Sequence, residues 1–424
     1  MQPSMLARSP LTRAWTAIAT VIAVIAALGL ALGVERSARA NSSTLNQITS
    51  FGSNPGSLNM YSYLPTSAPA SGAPLVLALH GCTQSANDYY SNSGWPKMAD
   101  AYGFDMIFAE QPSSTNPITE CFDWGDTSND SRGNGEAESL YQMIQYAETN
   151  WHINAAKIYI TGLSAGAGMT ADMLADYPDV FAGGSIDSGP AAQCSTSGIY
   201  NANCTSGTTS NSVAQWGSLI KNSDSGYSGS YPRIAIWQGS SDSKVNPAEL
   251  TYNMDGWTNV WGLSQTPSST QSLTGGTTEN IYNDSTGNPA VVTFSVSGMP
   301  HGLAVNPGSA ADQCGSTGIY YPNYICSSYY TAAFWGLTNS STTSPSPTAT
   351  ASASSSPTAT STYTPTCYTA NNYAQTIAGR AYTSLGYVYA DGSNQNMGLD
   401  NTYTTNTLEE TSPGYYVIAN SSCP

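Results

Sequence analysis

The sequence predicts an α/β fold built on a mostly parallel sheet, because short apolar runs alternate with longer segments of helical periodicity. Two helices are expected, at Glu136–Trp151 and at Ala165–Tyr177, where Pro178 ends the second. Five buried strands are expected at Leu75–Leu79, Phe104–Ala109, Lys157–Thr161, Arg233–Trp237 and Val291–Val296. Strands separated by helices need crossover connections, and such connections join parallel neighbours.

The first forty residues have the pattern of an export signal. Arg8 and Arg13 precede a continuous apolar stretch, Ala14–Gly33, and Ala38-Arg39-Ala40 offers small residues at the peptidase positions. We therefore expect residues 1–40 to be a signal peptide and the mature protein to be secreted into the extracellular medium. The alternative is an uncleaved membrane anchor, since the apolar stretch is long enough to span a bilayer. Beyond residue 40 no segment is apolar enough to do so, which predicts no membrane contact after cleavage.

The rest of the chain divides by composition into three parts. Residues 41–338 form the predicted α/β domain. Residues 339–366 are almost entirely Ser, Thr, Pro and Ala, which cannot build a core and which predict a semi-extended linker. Residues 367–424 form a small module with short strand-like runs (YVYA, YYVIA) and turn signals (DGSN, SPG). A module this small needs a covalent staple, and we expect it to be β-rich.

The net charge of the chain indicates which kinds of binding partner are disfavoured. The chain has 11 Lys and Arg against 27 Asp and Glu, a formal net charge of −16, and only 9% of its residues are charged. An acidic surface disfavours nucleic acid and anionic membranes. A neutral, hydrogen-bonding surface suits contact with an uncharged polymer. We expect a monomer.

Eight cysteines follow the predicted signal, an even number in a chain expected to be exported, which favours disulfides. No C-x-x-C pair occurs and the chain has only three histidines, so neither a metal site nor a cofactor is expected. The sequence leaves the connectivity open. Pairing nearest neighbours predicts Cys82–Cys121, Cys194–Cys204, Cys314–Cys326 and Cys367–Cys423.

The motif Gly162-Leu163-Ser164-Ala165-Gly166 fits G-x-S-x-G between a predicted strand and a predicted helix. That context is the nucleophile elbow of the α/β-hydrolase fold, in which a tight turn exposes the serine at the carboxyl end of the sheet. The sequence therefore predicts Ser164 as a nucleophile. The alternative is an ordinary glycine-rich loop between a strand and a helix.

The serine needs a base, and chain order selects His301. Hydrolases of this fold carry serine, acid and histidine in that order, with the histidine after a late strand. His80 precedes the serine, and we expect its ring only to shape its own loop by hydrogen bonding. For His152 we expect a partially buried structural role. His301 follows the last predicted strand, with a structural loop histidine as the alternative.

The acid that orients His301 is predicted to be Asp242, just beyond the strand Arg233–Trp237. Asp187, after a shorter apolar run, is the rival, and Asp255 is a weaker candidate. The oxyanion hole is expected to use the backbone N–H groups of Ala165 and Cys82. A Cys82–Cys121 disulfide would brace the second of these donors.

The segments LHGCTQSANDYYSNSGWPKMADAYGF, CFDW and YITGLSAGAGMTADMLADYPDVFAG resemble the extracellular poly(3-hydroxybutyrate) depolymerase family over roughly residues 45–335. That family is similar to feruloyl and acetylxylan esterases, and all share an α/β-hydrolase domain. The resemblance implies Ser164, Asp242 and His301 as the triad, with the Cys82 N–H in the oxyanion hole. The carboxyl-terminal module resembles the substrate-binding domains of those enzymes in GRAY (379–382), GSNQNMGL (392–399) and YYVI (415–418).

The resemblance implies a serine esterase that hydrolyses an insoluble polyester of short hydroxyalkanoic acids. One alternative is a feruloyl or acetylxylan esterase, with a module that binds cell-wall polysaccharide. Another is a catalytically inactive protein that only binds surfaces. The eight tyrosines of the module fit a platform for polymer or, alternatively, the core of a small β-domain.

Overall fold

A computed structural model describes the protein at residues 42–116, 119–195, 203–338, 366–384, 387–391, 393, 395–412 and 415–419. The predicted signal peptide, all of the predicted linker except Thr366, and Cys423 lie outside the described residues. Within these residues, no helix combines the length and apolar character needed to cross a membrane.

The larger part of the described chain is organised on a ten-stranded sheet. Its strands are β1 (Ser42–Ile48), β2 (Asn59–Leu64), β3 (Leu75–Leu79), β4 (Asp105–Glu110), β5 (Ile158–Leu163), β6 (Gly183–Asp187), β7 (Arg233–Gly239), β8 (Ser269–Leu273), β9 (Thr277–Asn283) and β10 (Pro289–Val296). The spatial order is β1-β2-β4-β3-β5-β6-β7-β10-β9-β8. The six central strands, β4, β3, β5, β6, β7 and β10, are parallel to one another. Two further strands extend the sheet at each edge in antiparallel orientation: β2 and β1 beside β4, and β9 and β8 beside β10.

All five predicted strands are present, with ends that differ by two residues at most. The prediction missed β1, β2, β8 and β9, and it noted β6 only as a short apolar run. The four missed antiparallel strands are at the edges of the sheet, and β8 (STQSL) and β9 (TTENIYN) are largely polar. A strand at an edge has no continuous apolar run to mark it, because part of its surface faces solvent.

Helices cover both faces of this sheet. They are α1 (Ala86–Asn92), α2 (Trp95–Tyr102), α3 (Thr127–Asp130), α4 (Gly135–Trp151), α5 (Ala165–Asp176), α6 (Asn203–Ser206), α7 (Val213–Ser223), α8 (Ala248–Trp261) and α9 (Ser327–Phe334). The two predicted helices correspond to α4 and α5, each within one residue. Every residue of α5 is buried, because the helix packs on β5 and β6 and is itself covered by α7.

The apolar core lies on the two faces of the sheet, and β3 shows how one strand contributes to both. Leu75, Leu77 and Leu79 belong to the cluster with α4 and α5, whereas Val76 and Ala78 belong to the cluster on the opposite face. All five side chains are buried. A parallel strand covered on both faces has an unbroken apolar sequence, and this explains why LVLAL is so easily recognised.

Buried carboxyl groups beside α5 predict an unusual dependence of stability on pH. Asp130 and Asp176 are both 1% exposed. Burial, followed by the charge of a neighbouring aspartate, raises the pKa of Asp130 to about 7 and that of Asp176 to about 8. In the unfolded chain both groups lose their protons near pH 4. The folded state therefore binds more protons than the unfolded state between pH 4 and pH 8, and the free energy of unfolding falls as the pH rises through that interval.

We therefore expect the melting temperature to decrease from pH 5 to pH 8. Asp176→Asn should flatten this dependence, because it removes one of the protons that only the folded state holds. Glu148→Gln is a matched control, since Glu148 is exposed on α4. Thermal denaturation followed by circular dichroism at a series of pH values measures both effects. A melting temperature that rises across the same interval would show that these carboxyls are ionised in the folded protein.

The described residues of the carboxyl-terminal module form two three-stranded sheets and one helix. Its elements are β11 (Thr366–Asn371), α10 (Asn372–Ile377), β12 (Ala381–Ser384), β13 (Tyr387–Ala390), β14 (Asn396–Leu399), β15 (Thr405–Ser412) and β16 (Tyr415–Ile418). The sheets have the orders β11-β15-β16 and β12-β13-β14. The expected β-structure is present, and α10 was not predicted.

The core of the module is small and does not consist of tyrosines. Its buried apolar residues are Ala381, Val388, Ala390, Met397 and Leu408. Buried amides support it: Asn372 Nδ2 donates to the carbonyls of Met397 and Leu399, both at 2.9 Å, and Asn406 Nδ2 donates to Asn372 Oδ1 at 2.7 Å. Every module tyrosine whose side chain is described is exposed or only partly buried. None of the described tyrosines is therefore a fully buried core residue, although Tyr416 packs against the core.

Candidate active site

Ser164 lies at the sharp turn between β5 and α5, with φ 59° and ψ −118°. A non-glycine residue with these angles is strained, and such strain persists only where the surrounding structure enforces it. The two glycines of the motif make the turn possible. A Cβ at Gly162 would collide with the carbonyl of Gly166, and a Cβ at Gly166 would collide with the carbonyls of Leu79 and His80. The elbow therefore requires glycine at both positions.

His301 follows β10 and Asp242 follows β7, and their side chains meet. His301 Nδ1 lies 2.8 Å from Asp242 Oδ2, and both residues are buried. The carboxylate is an acceptor only, so Nδ1 carries the proton and Nε2 is left free to act as a base. The adjacency of β7 and β10 in the sheet, which the sequence order does not reveal, brings the two loops together.

Three further donors hold the Asp242 carboxylate in place. Oδ1 accepts from the backbone N–H groups of Lys244, at 2.8 Å, and Val245, at 2.9 Å. Oδ2 also accepts from Gln238 Nε2, at 3.0 Å. Because all of these donors come from β7 and the loop that follows it, they fix the carboxylate relative to the sheet independently of its contact with the histidine.

The two rival acids lie elsewhere. Asp187 is buried at the end of β6, where its Oδ2 accepts from the hydroxyls of Thr161 and Ser185, both at 3.1 Å. Burial raises the pKa of Asp187 to about 7. Asp255 is half-buried on α8. The structure thus pairs His301 with Asp242 and with neither rival.

Ser164, His301, Cys82 and Ala165 line one cavity of about 230 Å³. Within the described residues, Ser164 Oγ and His301 share no direct hydrogen bond. In hydrolases without substrate, this hydrogen bond is often long and shortens only when the substrate binds. Both residues face this cavity.

The oxyanion candidates are the backbone N–H groups of Cys82 and Ala165. In the loop after β3, Gly81 N donates to Gln84 Oε1 at 2.8 Å, and Thr83 N donates to the carbonyl of Thr119 at 2.6 Å. The N–H of Cys82, between them, has no acceptor in the part of the chain that the structure describes, and neither has that of Ala165. An N–H group left unpaired at a cavity wall is available to a developing oxyanion.

Three of the four expected disulfides are present: Cys82–Cys121, Cys194–Cys204 and Cys314–Cys326. Cys367 is also disulfide-bonded, and its expected pairing ends on Cys423, which lies outside the described residues. The first disulfide ties the oxyanion loop to the segment of Phe122 and Trp124. It therefore fixes the position of the Cys82 N–H.

Removing this brace should slow the reaction. In the double variant Cys82→Ser/Cys121→Ser the N–H of residue 82 remains, but its loop is no longer tied down. Loss of a whole oxyanion donor costs about 100- to 1,000-fold in kcat, so a misplaced donor should cost about tenfold. The measurement is kcat on a soluble p-nitrophenyl ester well below the melting temperature of the variant. An unchanged kcat would show that the loop holds its position without the disulfide.

The other two histidines have different roles. Buried His80 shapes its loop, as expected: its Nδ1 contacts the Gly81 carbonyl at 2.8 Å, and its Nε2 accepts from Gln111 N at 3.1 Å. Burial lowers the pKa of His80, which keeps the ring neutral. The expectation of a partially buried His152 is wrong. His152 is exposed at the end of α4, where it adopts φ 53° and caps the helix.

Two residues that support the site were not predicted. Gln238 donates a hydrogen bond to Asp242. It could have been recognised in the sequence as the polar residue that directly follows the apolar strand RIAIW. Ser188 Oγ donates to the Gly302 carbonyl at 2.8 Å and so anchors the loop that carries His301. Nothing in the sequence around Ser188 distinguishes it from other serines.

Comparisons with known proteins identify the family of the chain. The family model "Esterase PHB depolymerase" matches residues 58–264. Poly(3-hydroxyalkanoate) depolymerase C of Paucimonas lemoignei is 42% identical over 294 residues, which cover 69% of this chain and 70% of that protein. The chain belongs to the PHB depolymerase esterase family.

Other similar proteins are esterases with other substrates in their names. Feruloyl esterase B of Talaromyces stipitatus is 35% identical over 283 residues, covering 65% of this chain and 76% of that protein. Among solved structures, an acetyl xylan esterase from Aspergillus awamori has a TM-score of 0.56 and 29% identity, covering 61% of this chain and 94% of that one. This PHB depolymerase family member thus has the α/β-hydrolase fold and is a serine ester hydrolase.

Proposed function

We propose that this esterase is secreted and hydrolyses solid polyesters of short hydroxyalkanoic acids, with Ser164, His301 and Asp242 as its triad. The observation that carries the substrate is the 42% identity to a poly(3-hydroxyalkanoate) depolymerase over 294 residues. The hydrogen-bonded pair of His301 and Asp242 beside the strained Ser164 supports the chemistry.

The geometry supports an acyl-enzyme reaction. Ser164 Oγ attacks the ester carbonyl and passes its proton to His301 Nε2, while the N–H groups of Cys82 and Ala165 hold the oxyanion. The C–O bond to the alcohol then breaks, and His301 returns the proton to the leaving oxygen. A water molecule, deprotonated by His301, attacks the acyl-serine and releases the acid. Asp242 orients the imidazole and stabilises its protonated form throughout.

Secretion is supported by two features of the chain. Disulfides persist in oxidising compartments, and the structure contains three in the α/β part. The signal pattern of residues 1–40 supplies the route. An extracellular enzyme meets polymer that the cell cannot take up.

The carboxyl-terminal module is proposed to hold the enzyme on its solid substrate. Four of its large apolar residues are well exposed: Tyr403 at 94%, Ile377 at 71%, Leu399 at 54% and Tyr373 at 53%. Tyr373 and Ile377 are four residues apart on α10 and so share one face, and Tyr373 N donates to the Asn401 carbonyl near Tyr403. An exposed apolar surface of this kind is typical of a binding site. Tethering to the polymer raises the local concentration of ester bonds.

Removing the exposed tyrosines tests the role of the module. We expect Tyr373→Ser/Tyr403→Ser to lower adsorption to poly(3-hydroxybutyrate) granules and the rate of granule hydrolysis, with kcat/KM for a soluble p-nitrophenyl ester unchanged. The control is Tyr146→Phe, which changes a partly buried tyrosine of the α/β part that does not line the cavity. Equal adsorption of the double variant and the parent would remove these tyrosines from the binding surface.

The second candidate is a feruloyl or acetylxylan esterase, favoured by the likeness to the acetyl xylan esterase structure. The released product decides between the candidates. The proposal predicts soluble hydroxybutyrate from amorphous poly(3-hydroxybutyrate) and little acetate or ferulate from acetylated or feruloylated xylan. The reverse pattern would establish the second candidate.

A further inference from the structure

Lys244 is an unpaired cation at the catalytic cavity. It lines the cavity and is exposed, and its ammonium group has no hydrogen bond or ion pair among the described residues. The described residues that line the cavity include no other Lys or Arg and no Asp or Glu. A charge without a partner beside a reactive serine needs a reason in this charge-poor protein.

Most other cations of the described chain are engaged in structure. Lys97 Nζ donates to three carbonyls, those of Gly308, Ala310 and Gln313. Lys221 donates to Asn259, and Arg132 pairs with Asp179. The guanidinium groups of Arg233 and Arg380 lie over aromatic rings. Lys244 differs because its surroundings leave the ammonium free to bind a ligand.

Lys244 belongs to the loop that holds the acid partner of His301, and this loop lines the cavity. Its backbone N–H holds Asp242 at 2.8 Å, and Asp242 in turn holds His301 at 2.8 Å. The leaving oxygen must lie at His301 to receive its proton. Lys244 and Val245 line the same cavity as Ser164 and His301, so the part of the substrate beyond that oxygen shares the cavity with Lys244.

We infer that Lys244 binds the terminal carboxylate of a hydroxyalkanoate chain whose last ester bond lies at Ser164. This inference rests on the proposed polyester function. In a 3-hydroxybutyrate chain, the leaving alcohol at the acid end carries its carboxylate two carbons from the ester oxygen, within the reach of a nearby lysine. The enzyme then prefers esters next to a free acid end, and it cleaves soluble oligomers as well as solid polymer.

The charge of the whole protein makes this lysine more important. A net charge of −16 repels a carboxylate at long range. At physiological salt that repulsion is screened within about 8 Å, whereas an ammonium in contact with the carboxylate still attracts it. A neutral ester gains no attraction from the ammonium charge of Lys244. The lysine therefore favours only substrates with a free carboxylate.

The test compares the 3-hydroxybutyrate dimer as free acid and as methyl ester. The readout is the ratio of the two kcat/KM values, measured for the parent, for Lys244→Met and for Lys244→Arg. We expect Lys244→Met to lower the acid-to-ester ratio by about fivefold, mainly through KM for the acid, the size expected for an exposed ion pair. Lys244→Arg should restore most of it, and 0.5 M NaCl should lower the ratio of the parent. Lys157→Met, which changes an exposed lysine at the opposite end of β5, is the control.

The outcomes separate this inference from the proposed function. If Lys244→Met and the parent have the same ratio, the inference is wrong while the polyester function stands. If the parent hydrolyses neither dimer nor poly(3-hydroxybutyrate), but still cleaves a p-nitrophenyl ester, the polyester function falls and the inference falls with it. A fivefold fall with Lys157→Met as well would assign the effect to net charge and would also overturn the inference.

Discussion

Replacing Ser164 by alanine is expected to lower kcat for p-nitrophenyl butyrate by about four to six orders of magnitude, to the level left by the oxyanion hole and by binding. The methyl group cannot form the acyl-enzyme, and His301 is then left without a proton to accept. The melting temperature should not fall, because alanine fits at the cavity wall and leaves the packing around α5 unchanged. The assay is the initial rate at saturating ester, with the parent as reference.

Ser218→Ala is the matched control for this variant. Ser218 is an exposed serine on α7 whose hydroxyl bonds only to the Ala214 carbonyl within its own helix, and it does not line the cavity. Its kcat should equal that of the parent. If Ser164→Ala keeps more than about a tenth of the parent activity, Ser164 is not the nucleophile and another hydroxyl must carry the acyl group.

Asp242→Asn is expected to lower kcat by about ten-thousand-fold with little change in stability. The amide keeps the size of the carboxylate, but its NH₂ group favours the wrong tautomer of His301 and cannot stabilise the imidazolium. The loss should appear in kcat more than in KM, because the charge on the histidine develops only in the transition state. Steady-state kinetics on the same soluble ester measures it.

Asp187→Asn provides the decisive comparison, since Asp187 was the rival acid. Its carboxyl bonds to Thr161 and Ser185 and not to His301, so the change should lower kcat by less than about tenfold. If Asp187→Asn instead causes the larger loss, the acid assignment must be exchanged between the two residues.

The sequence predicted the structure well at positions where the local geometry accepts only one type of residue. The glycines around Ser164 and the buried run of β3 are such cases, and chain order selected His301 from three histidines. Chain order also favoured Asp242 over Asp187, although Asp187 ends one central strand and Asp242 follows another. The structure adds what order cannot: β7 and β10 are neighbours in the sheet, and Asp242 therefore contacts His301.

Other features had no local signal. The edge strands β8 and β9 are polar because solvent reaches part of their surface, and β1 is mostly exposed. His152 was wrongly expected to be partly buried, because a residue at the end of a helix can point its side chain either into the protein or into solvent. Lys244 has no motif around it, and its interest comes only from the cavity that distant loops form around it.

Polyester hydrolysis through Ser164 is tested most directly by the turbidity of an amorphous poly(3-hydroxybutyrate) suspension incubated with the mature protein and, separately, with Ser164→Ala. We expect the mature protein to clear the suspension and Ser164→Ala, with the same melting temperature, to leave it turbid. Clearing by both proteins would contradict the role of Ser164. Clearing by neither, with p-nitrophenyl butyrate still hydrolysed by the mature protein, would leave a serine esterase and contradict its proposed polyester substrate.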